Sequence, residues 1–386
     1  MPTEPQRRLG IIVNGATGAL AGAQHLPALL AIGREGGLPL GDGTRIVPDL
    51  LLVGRDSGRL ARVAAATGVE RWSTDLDAAL ASSEHAVFFD AAATAGRFDR
   101  ISRAIAAGKH VYSEKPLAGT LDAALALVRA AADAGVRHGV VQDKTLLPGF
   151  ARLKRLAGEG FFGRILEVRI AFSRFVADGE RRPAQRPSWN YRKRDGGGLV
   201  LDMVPHWRYM IAQIAGDIEA VCAIARTHVP VRRDEHGRRY DVDVEDAVFA
   251  QMRVAGGIIA SVTSSWCSRI RRDDVIVMQV DGTEASAVAG THDCFVQTDA
   301  ETPAEFFPLT RPQPESFFDH WRKLPDEGPH PNSYRAGWEA FLRHVAAGAP
   351  FASPFIEGAK DVQLAEASYR SDRERRWIDL PELRQG

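Results

Sequence analysis

Three groups of residues in this chain have the types and spacing that chemistry needs. Lys115 lies in Glu114-Lys115-Pro116 after an apolar run, and the proline restricts it to extended backbone conformations, which holds the lysine stiffly. Asp202 and His206 are four residues apart, so on a helix they face the same space. Gly15-Ala16-Thr17-Gly18-Ala19 is a glycine turn between an apolar run and a helical pattern, where backbone N–H groups can meet a phosphate. A lysine can stabilise charge on an oxygen, and a histidine, with an ordinary pKa of about 6.5, can take a proton near neutrality.

The elements that must position these residues follow from periodicity and punctuation. An amphipathic helix over 99–107 stops at Gly108, the residue type favoured just past a last turn. A strand over 110–112 follows, so 113–116 falls at its carboxyl end, the edge where open parallel sheets bind ligands. Gly10-Ile11-Ile12-Val13-Asn14 reads as a strand buried on both faces, and 24–30 as the helix after the glycine turn. His25 in that helix reads as packing or capping. Residues 31–48 look like a surface insertion before a second strand at 49–53, which ends on Gly54-Arg55-Asp56. Helices at 60–66 and 74–82 flank a third strand at 70–73; a fourth strand at 85–90, a helix at 121–134 and a sixth strand at 137–142 complete an α/β domain over 1–143.

From residue 144 the pattern changes. A helix over 149–159 is followed by strand patterns at 165–175, 219–228, 246–254, 257–266, 275–280 and 285–288, an antiparallel sheet in an α+β domain over 144–386. Between the first two strands lies the stretch from Trp189 through Gly196-Gly197-Gly198 to His206. Proline is not tolerated deep in a helix, so Asp202 reads as an N-cap and Pro205 as first-turn, the helix running on to 214. Two amphipathic helices, 333–342 and 358–370, close the chain.

Composition narrows the class. With 386 residues, 49 basic and 49 acidic, nothing global steers the chain to nucleic acid or an anionic membrane, and the length calls for more than one core. Cys222, Cys267 and Cys294 are scattered, which fits a reduced compartment and gives neither a disulfide framework nor a metal site. No run of apolar residues is long enough to span a bilayer, and the N-terminus moves directly into a strand. A cytoplasmic protein is expected.

Ala107-Gly108-Lys109-His110-Val111 followed by Glu114-Lys115-Pro116, and then Trp189, the triple glycine, Asp202 and His206, resemble the signatures of the Gfo/Idh/MocA oxidoreductases, the family of glucose-fructose oxidoreductase and inositol dehydrogenase. The match spans nearly the whole chain. It implies a Rossmann domain followed by a domain with a large, mainly antiparallel open sheet. It also implies hydride transfer between a nicotinamide cofactor and a secondary alcohol of a sugar, sugar acid or cyclitol. Lys115, Asp202 and His206 would be catalytic: His206 as base, Lys115 polarising the same oxygen, Asp202 orienting substrate or lysine. Gly15, Ala16, Thr17, Gly18 and Ala19 would lie under the pyrophosphate, Arg55 and Asp56 at the ribose, and Glu114 and Lys115 beside the cofactor. Lys144, Trp189, Tyr191, Asp202 and His206 would contact substrate.

Either NAD or NADP fits, and Arg55 tilts the reading toward NADP because a guanidinium matches a 2′-phosphate. The basic run at Arg181, Arg182, Arg186, Arg192, Lys193 and Arg194, with Arg269, Arg271 and Arg272, is either a solvated loop or the border of a pocket for an anionic substrate. The resemblance further implies a homodimer or homotetramer. The chain departs from the pattern at Thr17, the second glycine position, at Val204, usually glycine, and at Tyr209, where many relatives have aspartate. It departs again at Asp90-Ala91-Ala92-Ala93-Thr94-Ala95-Gly96-Arg97, which replaces a Thr-Pro or similar dipeptide and a histidine. Two rival readings remain at this point: a glycosidase that oxidises, eliminates and re-reduces with Tyr191, Lys144 or Asp143 as second base, and a nucleotide-sensing regulator without turnover.

Overall fold

The computed structural model describes residues 5–269, 274–304, 310, 316–326, 328, 330 and 332–383. Its first half is built on β1 (Gln6–Asn14), whose odd and even residues face opposite layers. Ile11 and Val13 pack with α1 (Leu26–Arg34), while Ile12 packs with residues of the helices on the other side. Around it lie β2 (Leu38–Pro39), β3 (Arg45–Val53), β4 (Trp72–Ser73), β5 (His85–Asp90), β6 (His110–Ser113) and β7 (His138–Val140), interleaved with α2 (Ser57–Thr67), α3 (Leu76–Ala81), α4 (Arg97–Ala106) and α5 (Leu121–Asp133). β3-β1-β5-β6-β7 are parallel in that order, β4 continues the sheet beyond β3, and β2 joins β3 antiparallel. This is a Rossmann sheet, with its order reversing between β1 and β5, so the crevice for a dinucleotide opens outside Asn14 and Asp90. The stretch read as an insertion is in part this edge hairpin, and β3 starts at Arg45.

The second half is a nine-stranded sheet. It contains β8 (Ile165–Ser173), β9 (Ile218–Arg226), β12 (Ala247–Val254), β13 (Ile258–Ser265), β14 (Ile276–Gly282), β15 (Ala285–Ala289), β16 (Cys294–Thr298), β17 (Arg322–Lys323) and β18 (Ile378–Asp379). All neighbours pair antiparallel except β8 with β13. A separate hairpin joins β10 (Val231–Arg233) to β11 (Arg239–Asp241). One face of the large sheet is covered by α6 (Pro148–Gly158), α7 (Leu199–Ala215) and part of α9 (Phe355–Glu374), with Val168, Ile170, Trp207, Met210 and Leu364 in the shared core. The other face keeps Ile224, Phe249 and Ile259 exposed. Arg271 and Arg272 lie outside the described residues.

The start of α7 differs from the sequence expectation. Its N-cap is Gly198, and Asp202 is the fourth helical residue, its N–H donating to the Gly198 carbonyl at 3.1 Å. Pro205 therefore sits inside the helix. The reason is a cap supplied from elsewhere in the chain: Glu245 receives the Val200 N–H on Oε1 at 2.7 Å and the Leu199 N–H on its carbonyl at 3.1 Å. With two of its orphan donors met in this way, the helix begins early and absorbs one missing hydrogen bond at Pro205. Gly198 takes φ 114°, and a Cβ there would lie 2.7 Å from the same Glu245 oxygen.

The C-terminal helices return to the first sheet. Trp338, Phe341 and Leu342 of α8 (Ser333–Ala347) pack with Tyr112 and Phe89, and Phe355, Ala359 and Val362 of α9 pack with α5. No helix of the described residues is long and apolar enough to cross a membrane, and no group among them could hold a metal ion.

Candidate active site

Lys115 stands at the carboxyl end of β6, in a cis peptide with Pro116. Its Nζ donates to Asp202 twice, to Oδ1 at 2.5 Å and to the main-chain oxygen at 2.7 Å. The second Asp202 oxygen receives Arg186 Nη2 at 2.7 Å, and the Arg186 guanidinium lies 4.3 Å from the Trp266 ring centre. Burial alone would raise the Asp202 pKa, but the charges of Lys115 and Arg186 hold the carboxyl far below its ordinary value. One carboxylate thus joins the nucleotide sheet, the 174–198 loop and α7.

His206 lies one turn along α7, with its side chain 5 % exposed. Its Nδ1 is 2.6 Å from the Tyr209 hydroxyl, which accepts the Lys144 N–H at 3.1 Å and donates toward Asp143 Oδ1 at 3.5 Å. The other Asp143 oxygen takes Lys144 Nζ at 2.5 Å. Burial, then the Lys115 and Lys144 charges, push the His206 pKa well below its ordinary value, so the imidazole is neutral at pH 7. Asp143, opposed by burial but favoured by the charge and hydrogen bond of Lys144, falls to about 2 and is ionised. Burial and the Asp143 charge raise Tyr209 and keep it protonated. This is a neutral base beside an ammonium, the pairing that removes a proton from a hydroxyl and steadies the oxygen.

The glycine turn after β1 is the candidate dinucleotide cradle. Gly15 and Ala16 N–H groups bond to the Val53 carbonyl at 2.9 and 3.1 Å, which fastens the turn to β3. Gly15 has φ 77°, and a Cβ on it would meet Ala92 N at 2.6 Å. Gly18 and Ala19 are exposed where the helical run begins, so its N-terminal donors are open to a pyrophosphate. The cradle residues therefore fit a nicotinamide dinucleotide. Behind them, Asn14 Nδ2 donates to Asp90 at 2.6 Å, and Arg97 and Arg100 both bind the fully buried Asp90 carboxylate at 3.0 Å. Arg97 also donates to the Pro116 and Ala92 carbonyls, and Arg100 to those of Ala93 and Ala95. The turn that departs from the family pattern is thus rigidly held by this arginine pair.

His25 does more than pack. Trp338 Nε1 can only donate, so His25 Nδ1 accepts from it at 3.1 Å, and Nε2–H faces Glu114 Oε1 at 2.8 Å. Glu114 Oε2 receives the Lys115 N–H at 3.1 Å. Through this chain α8 orients the strand end that carries the lysine.

The structure gathers Lys115, Asp202, His206 and Lys144 into one cluster. Tyr191 is buried behind it, its ring 5.5 Å from Trp266 and under the Arg232 guanidinium, its hydroxyl without a hydrogen bond among the described residues. Trp189 is exposed and outside the hydrogen-bonded cluster. Arg55 is exposed at the end of β3, whereas the Asp56 carboxylate is taken by the Arg59 N–H at 2.9 Å and caps α2. Sequence reasoning missed the partnership of Tyr209 with His206, the role of Arg186, and Tyr334 of α8, whose pKa burial and the Asp143 charge raise. The i, i+3 spacing of His206 and Tyr209 was the one signal that pointed to the first.

Comparison with known proteins bears on the family and the fold. Residues 9–142 match the model of the oxidoreductase family, NAD-binding Rossmann fold, and residues 150–288 match that of the GFO/IDH/MocA C-terminal domain. The chain is 42% identical to a D-xylose dehydrogenase of Paenarthrobacter nicotinovorans over 97% of both chains. It is 26% identical to a levoglucosan dehydrogenase of Pseudarthrobacter phenanthrenivorans over 72% of this chain and 75% of that one. A solved levoglucosan dehydrogenase in complex with NADH and levoglucosan superposes with a TM-score of 0.82 over 97% of this chain and all of that one, at 22% identity, a likeness of fold. The chain is therefore a member of the Gfo/Idh/MocA family, an oxidoreductase with an NAD-binding Rossmann domain and a sheet-rich C-terminal domain.

Proposed function

We propose that the protein is a cytoplasmic NAD(P)-dependent sugar dehydrogenase that oxidises a neutral aldose of pentose size, the substrate class in the name of its 42% identical relative. The observation that carries this reading is the Lys115–Asp202 pair with neutral His206 one helical turn away. When bound, the nicotinamide ring accepts the hydride. His206 takes the hydroxyl proton, Lys115 steadies the oxygen, and Asp202 fixes the lysine. The Arg186 charge is already met by Asp202, which supports a neutral sugar over a sugar acid. The quoted relatives are dehydrogenases, which favours net hydride transfer over redox-neutral glycoside cleavage, and the intact base and lysine favour turnover over mere sensing.

For the cofactor, Asp56 is spent as a helix cap, while Arg55 and Arg59, whose Nη2 binds the Thr17 carbonyl at 3.0 Å, flank the ribose end of the cradle. That arrangement supports NADP. The apolar open face of the second sheet supports self-association as a homodimer or homotetramer. The test is reduction of NAD⁺ and NADP⁺ in parallel over D-xylose, other aldoses, sugar acids, cyclitols and aryl glycosides. Aldose-dependent reduction, faster with NADP⁺ and lost in Lys115→Ala and His206→Ala, is expected. Cofactor-dependent aglycone release without net reduction would overturn the reading.

A further inference from the structure

We propose that Tyr209 and Asp143 are positioning residues that fix the tautomer of His206, keeping its proton on Nδ1 so that Nε2 faces substrate bare. The inference rests on His206 being the base. It starts from a count of protons. The Tyr209 oxygen accepts the Lys144 N–H at 3.1 Å and owns a single proton, for which two acceptors compete: His206 Nδ1 at 2.6 Å and Asp143 Oδ1 at 3.5 Å.

If that proton points at Nδ1, the imidazole carries its hydrogen on Nε2 and cannot receive another there. If it points at Asp143, Nδ1–H donates to Tyr209 and Nε2 is free. Only the second arrangement survives the reaction. Once the substrate O–H bond breaks and an Nε2–H bond forms, Nδ1 must be a donor. The acceptor it touches is Tyr209, whose own proton must then go to Asp143. The Nδ1 and Tyr209 protons stay in place throughout, and Asp143 stays ionised.

The tyrosine also sets a distance. Asp143 Oδ1 lies 3.9 Å from Nδ1, so its charge reaches the ring without the direct contact that would hold the histidine permanently protonated. Around His206 two cations, Lys115 and Lys144, oppose a positive ring, while two anions, Asp143 and Asp202, favour it. Arg186 shares Asp202, and the Asp143 charge also acts on Tyr334. Loss of the Asp143 charge leaves Lys144 uncompensated, and the imidazolium becomes harder to form.

The experiment is nitrogen NMR of full-length protein labelled with ¹⁵N-histidine, the His206 signals identified among the 11 histidines by their loss in His206→Gln. In the wild type Nδ1 is expected protonated and Nε2 bare; in Asp143→Asn and Tyr209→Phe the hydrogen shifts to Nε2 or divides between the two. An Nε2–H tautomer in the wild type, or a wild-type pattern that survives both substitutions, would overturn the proposal. Should Asp143→Asn fail to fold, the wild type and Tyr209→Phe decide.

Kinetics supply the second readout. Each variant loses roughly 10- to 100-fold in kcat with cofactor affinity kept, and the double variant is no worse than the poorer single one. In Asp143→Asn the acid limb of kcat/KM also moves to lower pH. Additive losses with an unmoved limb would contradict the relay. The expected tautomer in a protein that oxidises no sugar would instead retire the dehydrogenase reading and leave the relay standing.

Discussion

Asp202 lies between two cations, Lys115 at 2.5 Å and Arg186 at 2.7 Å, and each of its carboxylate oxygens serves one of them. Asp202→Asn keeps the shape but leaves both cations without their counter-charge, so kcat/KM for sugar should fall by about 100-fold or more. The nucleotide half is untouched, and the dissociation constant for the cofactor should hold. A Michaelis constant that rises alone, with kcat intact, would show that Asp202 only binds substrate. The pH profile follows from His206, whose neutral form is favoured by burial and by two lysines. Because its folded pKa lies below its ordinary value of about 6.5, the base is already competent at pH 7. Oxidation should therefore stay flat as pH falls through 6.5 and decline only below it, measured as kcat/KM under saturating cofactor. An acid limb centred at or above 6.5 would place a different group in charge. Residues of this kind were legible because their types are few and their spacing is tied to helix and strand ends. Tyr209 was visible as a departure, but its meaning depends on Asp143, 66 positions away in the chain.

At the scale of elements, α7 carries Asp202 and His206, and its start is secured by Glu245, a residue 45 positions distant from the N–H it receives. Glu245→Ala strands one helix N–H group, that of Val200, and should cost about 1–2 kcal/mol of stability. It should also lower kcat by displacing Asp202. Glu245→Gln, which keeps an acceptor, should recover most of both in urea titration and in assay. Proline rules read from local sequence put the start of this helix at Asp202, because a cap supplied by the loop before β12 leaves no local signal. The same holds for the turn after β5. Asp90 is fully buried and held by Arg97 and Arg100, so Arg97→Met removes one partner of a buried ion pair and should destabilise the protein by roughly 3–5 kcal/mol. A loss under 1 kcal/mol would mean that Arg100 suffices. Strands and helices of the first sheet were otherwise legible within a few residues, since buried parallel strands and amphipathic helices impose their own periods. Short edge strands such as β10, β11 and β17 bury too little to leave a pattern.

At the scale of the molecule, the last two helices tie the halves together. α8 places Trp338 against His25 and so reaches Glu114 and Lys115, while α9 carries Asp361 and Glu357 to Arg208 of α7 and Asp361 to Gln142. Sequence shows two amphipathic helices but not which sheet they cover, since an apolar stripe does not name its partner. The result is that lysine, carboxylate and histidine are held by elements from both halves of the chain around one point in space. The central claim is that a hydride leaves sugar carbon at that point. The most direct measurement uses D-xylose deuterated at C1 with NAD⁺ and NADP⁺, and follows the label by NMR. Deuterium at C4 of the nicotinamide, with a rate that drops in His206→Ala and Lys115→Ala, is the expected result. An unlabelled cofactor, alongside glycoside cleavage or no turnover of any aldose, would contradict it.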